Sequence, residues 1–309
     1  MKIIVPKVEI INEPDPLKRI ELAGRVCYKS EDRITEDSAE RFVTSLIKSG
    51  HESVLEHSNI IIRANDKPSA EEMIGYLNQY EEDTDIPHFI RRSRWQNTFT
   101  NVFSGNARAW RSLVKAFPHE DVWSVFVNNP LFGDLDFRAR RYSGDWITAY
   151  YEVIPYAPGK QHNIITAKFI CSRGVSHELV RHRLLSFSQE STRYVKYGDI
   201  EYIEPYWMDD FLWGTDEENA KYAARKDIFE RAALNAEFNY AEYINSGEVP
   251  QLARGVLNND TKTEVVCTGT VAQWERFIGL RNAHAAHPDI RRLASEFCVM
   301  TIDTRNAVA

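Results

Sequence analysis

The stretch "VRHRLLSFSQESTRYVKYG" (180–198) sets Arg181, His182 and Arg183 side by side. A run of hydroxyls, an amide and a carboxylate follows, and then Arg193 and Tyr194. A guanidinium presents a planar fork of N–H donors that holds a phosphate through two parallel hydrogen bonds. Gln189, Glu190, Ser191 and Thr192 add the small polar groups typical of a small-molecule site. The chemistry this combination suits is recognition of a phosphomonoester or a pyrophosphate. A solvated basic helix face is the plainer reading of a charge run, but few acidic residues stand nearby to pair with these arginines. An RNA surface would also use Arg and Tyr, for backbone contact and stacking. The shortness of the basic stretch favours a nucleotide-sized ligand.

Other candidates carry less. "SHELVRH" (176–182) approaches a zinc-protease helix, which needs two histidines at i and i+4. Here His177 and His182 are five apart and Arg181 occupies the ligand position, so a zinc site is not expected. "GHESVLEH" (50–57) places His51 and His57 around a predicted helix end, where they and the glutamates would satisfy backbone groups or line a pocket. Arg254, after a long helical pattern, and Arg281, inside a largely apolar one, must each be paired or face an anion, because arginine is rarely buried alone. Cys27, Cys171, Cys267 and Cys298 are scattered without a C-x-x-C pair and read as reduced thiols, with no sign of a nucleophile among them.

These residues must be positioned by a chain of 309 residues with a formal net charge of −7, 43% hydrophobic and 27% charged. Such a balance is ordinary for a globular protein and disfavours wholesale attraction to nucleic acid or an anionic membrane. No apolar run reaches bilayer length, and "MKIIVPKVEI" reads as a strand and not as a signal peptide, so the cytoplasm is the expected compartment. Strands are predicted over 2–11, 58–64, 163–173 and 263–270. Helices are predicted over 35–50, over 215–247 with a Thr215/Glu218 capping box and Gly247 closing it, and over 271–286 with Pro288 ending or kinking it. Mixed elements without strict alternation predict an α+β fold. Residues 65–160, rich in Trp, Asn and Gly with basic pieces such as "RRSRW" (91–95), read as an inserted helical subdomain within a single domain spanning 1–309. No dinucleotide glycine fingerprint or P-loop occurs.

"RHRLLSFSQESTRY" (181–194) resembles the signature R-H-R-x-x-S-x-x-x-x-S-x-R of the flavin-dependent thymidylate synthases. "CYKSEDRITEDSAERFVTSLIKSGHESVLEH" (27–57) is similar to the N-terminal block of that family. "FICSRGVSHELVRHR" (169–183) matches the segment leading into the signature, and "ARGVLNNDTKTEVVCTGT" with "FIGLRNAHAAHPDIRRLA" matches the C-terminal block. The resemblance covers about two-thirds of the chain and omits the middle.

The resemblance implies an α+β subunit of the thymidylate synthase-complementing type, with a central, mostly antiparallel sheet flanked by helices. It implies a homotetramer with active sites at subunit interfaces, and no stable nucleic-acid or membrane partner. The cofactor would be FAD, with NADPH as reductant and methylenetetrahydrofolate as one-carbon donor, converting dUMP to dTMP. By position, Arg181, His182 and Arg183 would meet the flavin, with His51 and Ser53 contributed by a neighbouring subunit. Gln189 would lie between flavin and nucleotide. Glu178, Arg181, Glu190, Ser191, Thr192, Arg193 and Arg254 would hold dUMP. Arg281 would polarise the uracil ring, stabilising charge as C5 becomes nucleophilic. The family's flavin-contacting Asn, Arg and Asn/His after "VVCT" are replaced by Thr270, Ala272 and Arg276, and the Pro of "ARxVLP" by Asn258. These departures leave room for a hydroxymethylase of dUMP or dCMP, or for a non-catalytic nucleotide- or RNA-binding relative.

Overall fold

The structure is a computed structural model and describes residues 1–83, 90–94, 100–118, 120–135, 150–208 and 214–307. Strand β1 (Lys2–Ile4) and strand β2 (Lys7–Ile10) are separated at Pro6, which has no N–H to offer a ladder. Helix α1 (Pro16–Tyr28) starts where Asp15 accepts from the Leu17 and Lys18 amides and Pro16 takes the first helical position. Helix α2 (Ser38–Lys48) and strand β3 (Ile60–Ala64) follow, joined by a 3-10 turn over Glu52–His57.

The middle of the chain departs from the helical expectation. It holds α3 (Lys67–Asp83) and α4 (Ala107–Ala116), but also β4 (Arg91–Arg94), β5 (Thr100–Gly105) and β6 (Tyr151–Ile154). These three strands build an antiparallel sheet on β3, in the order β4-β5-β3-β6. Tertiary pairing overrides the local signal: "RRSR" has no apolar face and becomes an edge strand, its register shifting between Ser93 and Arg94. Trp95, at the end of the basic piece, lies outside the described residues.

The second sheet is the one that positions the arginine segment. Strand β7 (Ile164–Ser172) leads into helix α5 (Arg173–Leu179), and the chain returns as β8 (Ser186–Gln189). Strand β9 (Glu201–Ile203) pairs with β1, the one parallel pair among the described residues, and then come α6 (Asp216–Asn245) and the short α7 (Pro250–Ala253). Strand β10 (Lys262–Thr270) completes an antiparallel sheet in the order β2-β7-β10-β8. The Thr215/Glu218 capping box forms as predicted, and Gly247 takes φ 93° just past α6.

Every residue of β10 is buried, including Lys262 and Glu264. One of its faces, with Val265 and Cys267, packs on helix α8 (Val271–Arg281) and helix α9 (Pro288–Met300) through Phe169, Trp274, Phe277 and Phe297. The other face packs on α1 through Ala23, Val26 and Val266. Each large side chain buried there contributes about 1.5–3 kcal/mol. Helix α8 is shorter than the predicted 271–286, and Pro288 opens α9 instead of ending or kinking α8, since its fixed φ suits a first helical turn. No helix among the described residues is long and apolar enough to cross a membrane.

Candidate active site

The arginine segment is a tight turn closed against the start of α8. Ser172 caps α5 by accepting from the Val175 amide, and after Leu179 the chain turns through 180–185 into β8. Gly269 lies against this closure, where a Cβ would overlap the end of the Leu185 side chain and force it to shift. Along α8, Trp274 and Phe277 bury into the core while Gln273, Arg276 and Leu280, at helical spacing, face the turn. Turn and helix together enclose a cavity of about 340 Å³. Four guanidinium groups line it, those of Arg181, Arg183, Arg276 and Arg281, with Leu184 and Leu280 as its apolar part.

Arg281 is the most constrained of the four. Its Nε donates to His182 Nε2 at 2.9 Å, one terminal nitrogen to the Glu178 carboxylate at 2.7 Å, and the other to the Glu178 carbonyl at 3.2 Å. An arginine has five N–H donors, so two remain for a ligand. Burial, with Arg281 and Arg276 adding repulsion, lowers His182 to about 4, so the ring is neutral near pH 7. Because Nε2 accepts from Arg281, the single ring proton sits on Nδ1. Of the two options left open for Arg281 by the sequence, the structure shows the pairing, and the residue also lines the cavity.

The remaining candidates separate into groups. Gln189 is fixed at the end of β8, its amide donating to Ser176 Oγ at 3.0 Å and Thr263 Oγ1 at 3.2 Å. Ser191 Oγ accepts from the Arg193 amide, Thr192 is buried, and Arg193 Nε donates to Gln251 on α7 at 3.1 Å. Arg254 follows α7 and is exposed. Neither Arg193 nor Arg254 lines the arginine cavity. His51 and Ser53 are exposed and line it no more than these do.

Glu190 corrects an expectation. Its carboxylate is 0% exposed and faces inward, accepting from Tyr197 Oη at 2.7 Å and lying 3.5 Å from both Lys29 and Lys262. Those lysines also grip Glu264, Lys29 at 2.7 Å. Glu190 therefore anchors the end of β8 and does not present a group to a nucleotide. Thr270 is likewise engaged: its hydroxyl accepts from the Gln273 amide and its own amide donates to Gln273 Oε1, a capping box that starts α8. Ala272 is exposed, and Arg276 joins the cavity.

The "GHESVLEH" turn does more than close a helix end. His57 is buried, bridging Thr268 Oγ1 at 2.8 Å and Ser188 Oγ at 2.9 Å, and burial lowers it to about 3, so it stays neutral. Glu52 meets Arg111 at 2.9 Å, and Glu56 meets Arg108, both on α4. The turn thus ties the middle sheet to the site strands.

Two further arginines, outside the candidate set read from the sequence, also stand out. Arg173, at the start of α5, keeps one terminal nitrogen buried without a hydrogen-bond partner among the described residues, and so does Arg91 with its Nε. Arg173 is the last residue of the strand predicted over 163–173 and falls one past β7 in the structure. Arg91 opens the basic piece "RRSRW".

Against known proteins, the family model described as thymidylate synthase complementing protein matches residues 9–70 and 160–302, about two-thirds of the chain. Its two segments carry the end of β2, all of β3 and the whole arginine cavity, and leave β4, β5 and β6 unmatched. A protein of Mycolicibacterium gilvum named flavin-dependent thymidylate synthase is 36% identical over 132 residues, which is 40% of this chain and 52% of that protein. Proteins of the same name from Mycobacterium tuberculosis and Corynebacterium glutamicum are 38% and 35% identical, over 129 and 132 residues, again 40% of this chain and 52% of theirs. The chain spans about half the length of the curated relatives it matches. With the family model covering the sheet, the signature turn and Arg281 together, the chain belongs to the thymidylate synthase complementing protein family.

Proposed function

We propose that the chain is a flavin-dependent thymidylate synthase that methylates dUMP to dTMP. In this reading methylenetetrahydrofolate donates the one-carbon unit and NADPH the reducing equivalents, so dUMP, methylenetetrahydrofolate, NADPH and a proton give dTMP, tetrahydrofolate and NADP+. The observation that carries it is the cavity in which Arg281, fixed by Glu178 and His182, stands among three further arginines on family-matched segments. The printed names of the relatives support the flavin.

The residues present fit a flavin nucleotide. Arg181, Arg183 and Arg276 offer cationic donors to its polar edge or phosphates, and Leu184 and Leu280 offer apolar surface to a ring. Bound there, FAD would supply the hydride. Arg281 directs its two open N–H groups at the pyrimidine, where a fixed cation lowers the energy of the charge that builds on the ring. The Glu178 carboxylate keeps that guanidinium oriented. His182, neutral near pH 7, acts as an acceptor that fixes its edge and not as an acid. Ser191, Arg193 and Arg254 are assigned the nucleotide phosphate and sugar.

His51, Ser53, Arg193 and Arg254 lie outside the arginine cavity of their own chain, which supports an assembly in which a second copy brings them to it. We infer a homotetramer with shared sites. All four cysteines are free, which supports a reducing compartment such as the cytoplasm.

The decisive test is mass spectrometry of nucleotide products after anaerobic incubation with FAD, NADPH, methylenetetrahydrofolate and either dUMP or dCMP. Formation of dTMP from dUMP is expected. A hydroxymethylated nucleotide, or turnover of dCMP alone, would replace the synthase reading with an altered reaction traceable to Thr270, Ala272 and Arg276. Arg193→Ala is expected to weaken dUMP binding by about 2–3 kcal/mol in calorimetric titration, the scale of a lost charge-assisted contact. Unchanged affinity would place the phosphate elsewhere.

A further inference from the structure

A smaller cavity of about 50 Å³ adjoins the arginine cavity and shares Arg183, Leu184, Leu185 and Gln273 with it. One wall comes from outside the family-matched segments: Arg91, on the edge strand β4, reaches into it. Burial pulls the Arg91 guanidinium down to about 10, and no acidic neighbour among the described residues offsets that loss. Its Nε is buried with no hydrogen-bond partner among the described residues. A half-buried cation left in that state costs stability, and removing it would ordinarily be neutral or favourable.

The other polar side chains around this cavity are already engaged. Glu56, the one carboxylate there, is paired with Arg108. Asn106 caps α4 by accepting from the Ala109 amide at 2.8 Å, and Gln273 belongs to the α8 capping box. Three groups make no side-chain hydrogen bond to the described residues, namely Arg91, Arg183 and Ser186. The groups left without a protein partner are therefore the partly buried Arg91, the exposed Arg183 and the Ser186 hydroxyl, a donor set that selects an oxyanion. The volume admits one small group and no ring system.

We propose that Arg91, Arg183 and Ser186 form a phosphate subsite, and that the phosphate it takes belongs to the flavin dinucleotide held in the adjoining arginine cavity. This rests on the flavin reading above. It gives the middle sheet a role in cofactor binding. It also answers the departures at 270 and 272, since cationic charge missing from the start of α8 is returned from β4.

The test uses the full chain stripped of flavin, titrated with FAD and with riboflavin by fluorescence quenching. Wild type is compared with Arg91→Met and Arg91→Lys, and thermal midpoints are recorded without flavin. Arg91→Met is expected to weaken FAD at least about tenfold, leave riboflavin unchanged, and hold or raise the midpoint; Arg91→Lys retains part of the FAD affinity. FAD affinity unaffected by Arg91→Met, or a parallel loss for FAD and riboflavin with a lowered midpoint, would overturn the subsite and make Arg91 structural. Wild-type protein that binds neither flavin would instead overturn the flavin reading, and the subsite with it.

Discussion

Arg281→Ala is expected to retain FAD and to cut dTMP formation at least about a hundredfold, the scale for removing one pre-positioned donor from a developing anion. Arg281 is 22% exposed, at the cavity wall and outside the apolar core, so the fold should survive its truncation. Three of its five N–H groups are spent on Glu178 and His182, which means its direction is set before any ligand arrives. Arg281→Lys should recover little, because an ammonium cannot hold that fork of contacts and still reach a ring. Flavin absorbance of the purified variant and its kcat under saturating dUMP are the two readouts. Full activity, or loss of the fold, would contradict the assignment.

Glu264→Ala is expected to lower unfolding stability by about 3 kcal/mol, the lower end for breaking a buried ion pair, because Lys29 keeps partial contact with water. The carboxylate sits within 4 Å of Lys29, Lys168 and Lys262, and the alanine variant leaves these charges under the end of β8. Burial alone would raise Glu264, but its bonds to Lys262 and Lys29 outweigh that and hold it near 2, below its ordinary 4.5. A depressed carboxylate contributes in full above pH 4.5, and the contribution is lost as pH falls from there towards 2. Wild type should therefore lose stability more steeply than the variant over that window in denaturant titrations. An unchanged midpoint in Glu264→Ala would show that the cluster is only a solvated rim.

Much of the fold was legible because its signals were local. The β-branched run of β7, the Thr215/Glu218 box of α6 and the apolar face of α2 each sit within a dozen residues or so of their cause. The signature arginines could be read for the same reason, since their charge and their neighbouring hydroxyls share one turn. What escaped the sequence depends on partners far away. Arg281 and Glu178 are 103 positions apart, and His57 and Thr268 are 211 apart. Glu190 reads as a site residue among hydroxyls, but Lys29 and Lys262, brought in by α1 and β10, draw it inward. Strand β4 carries no pattern at all; only β5 beside it makes "RRSR" a strand.

Strand β3 is bonded on one side to β5 and on the other to β6. Both partners belong to the unmatched middle of the chain, whereas β3 itself lies within the family-matched residues. Trimming this protein to its matched segments would strip "IIIRA" of both ladders at once and present two rows of unpaired amides and carbonyls. Such an edge templates strand addition from other chains. The middle sheet is thus a guard against edge-to-edge strand pairing as well as a wall of the smaller cavity, and a minimal version of the chain would need a redesigned β3 before it could remain in solution.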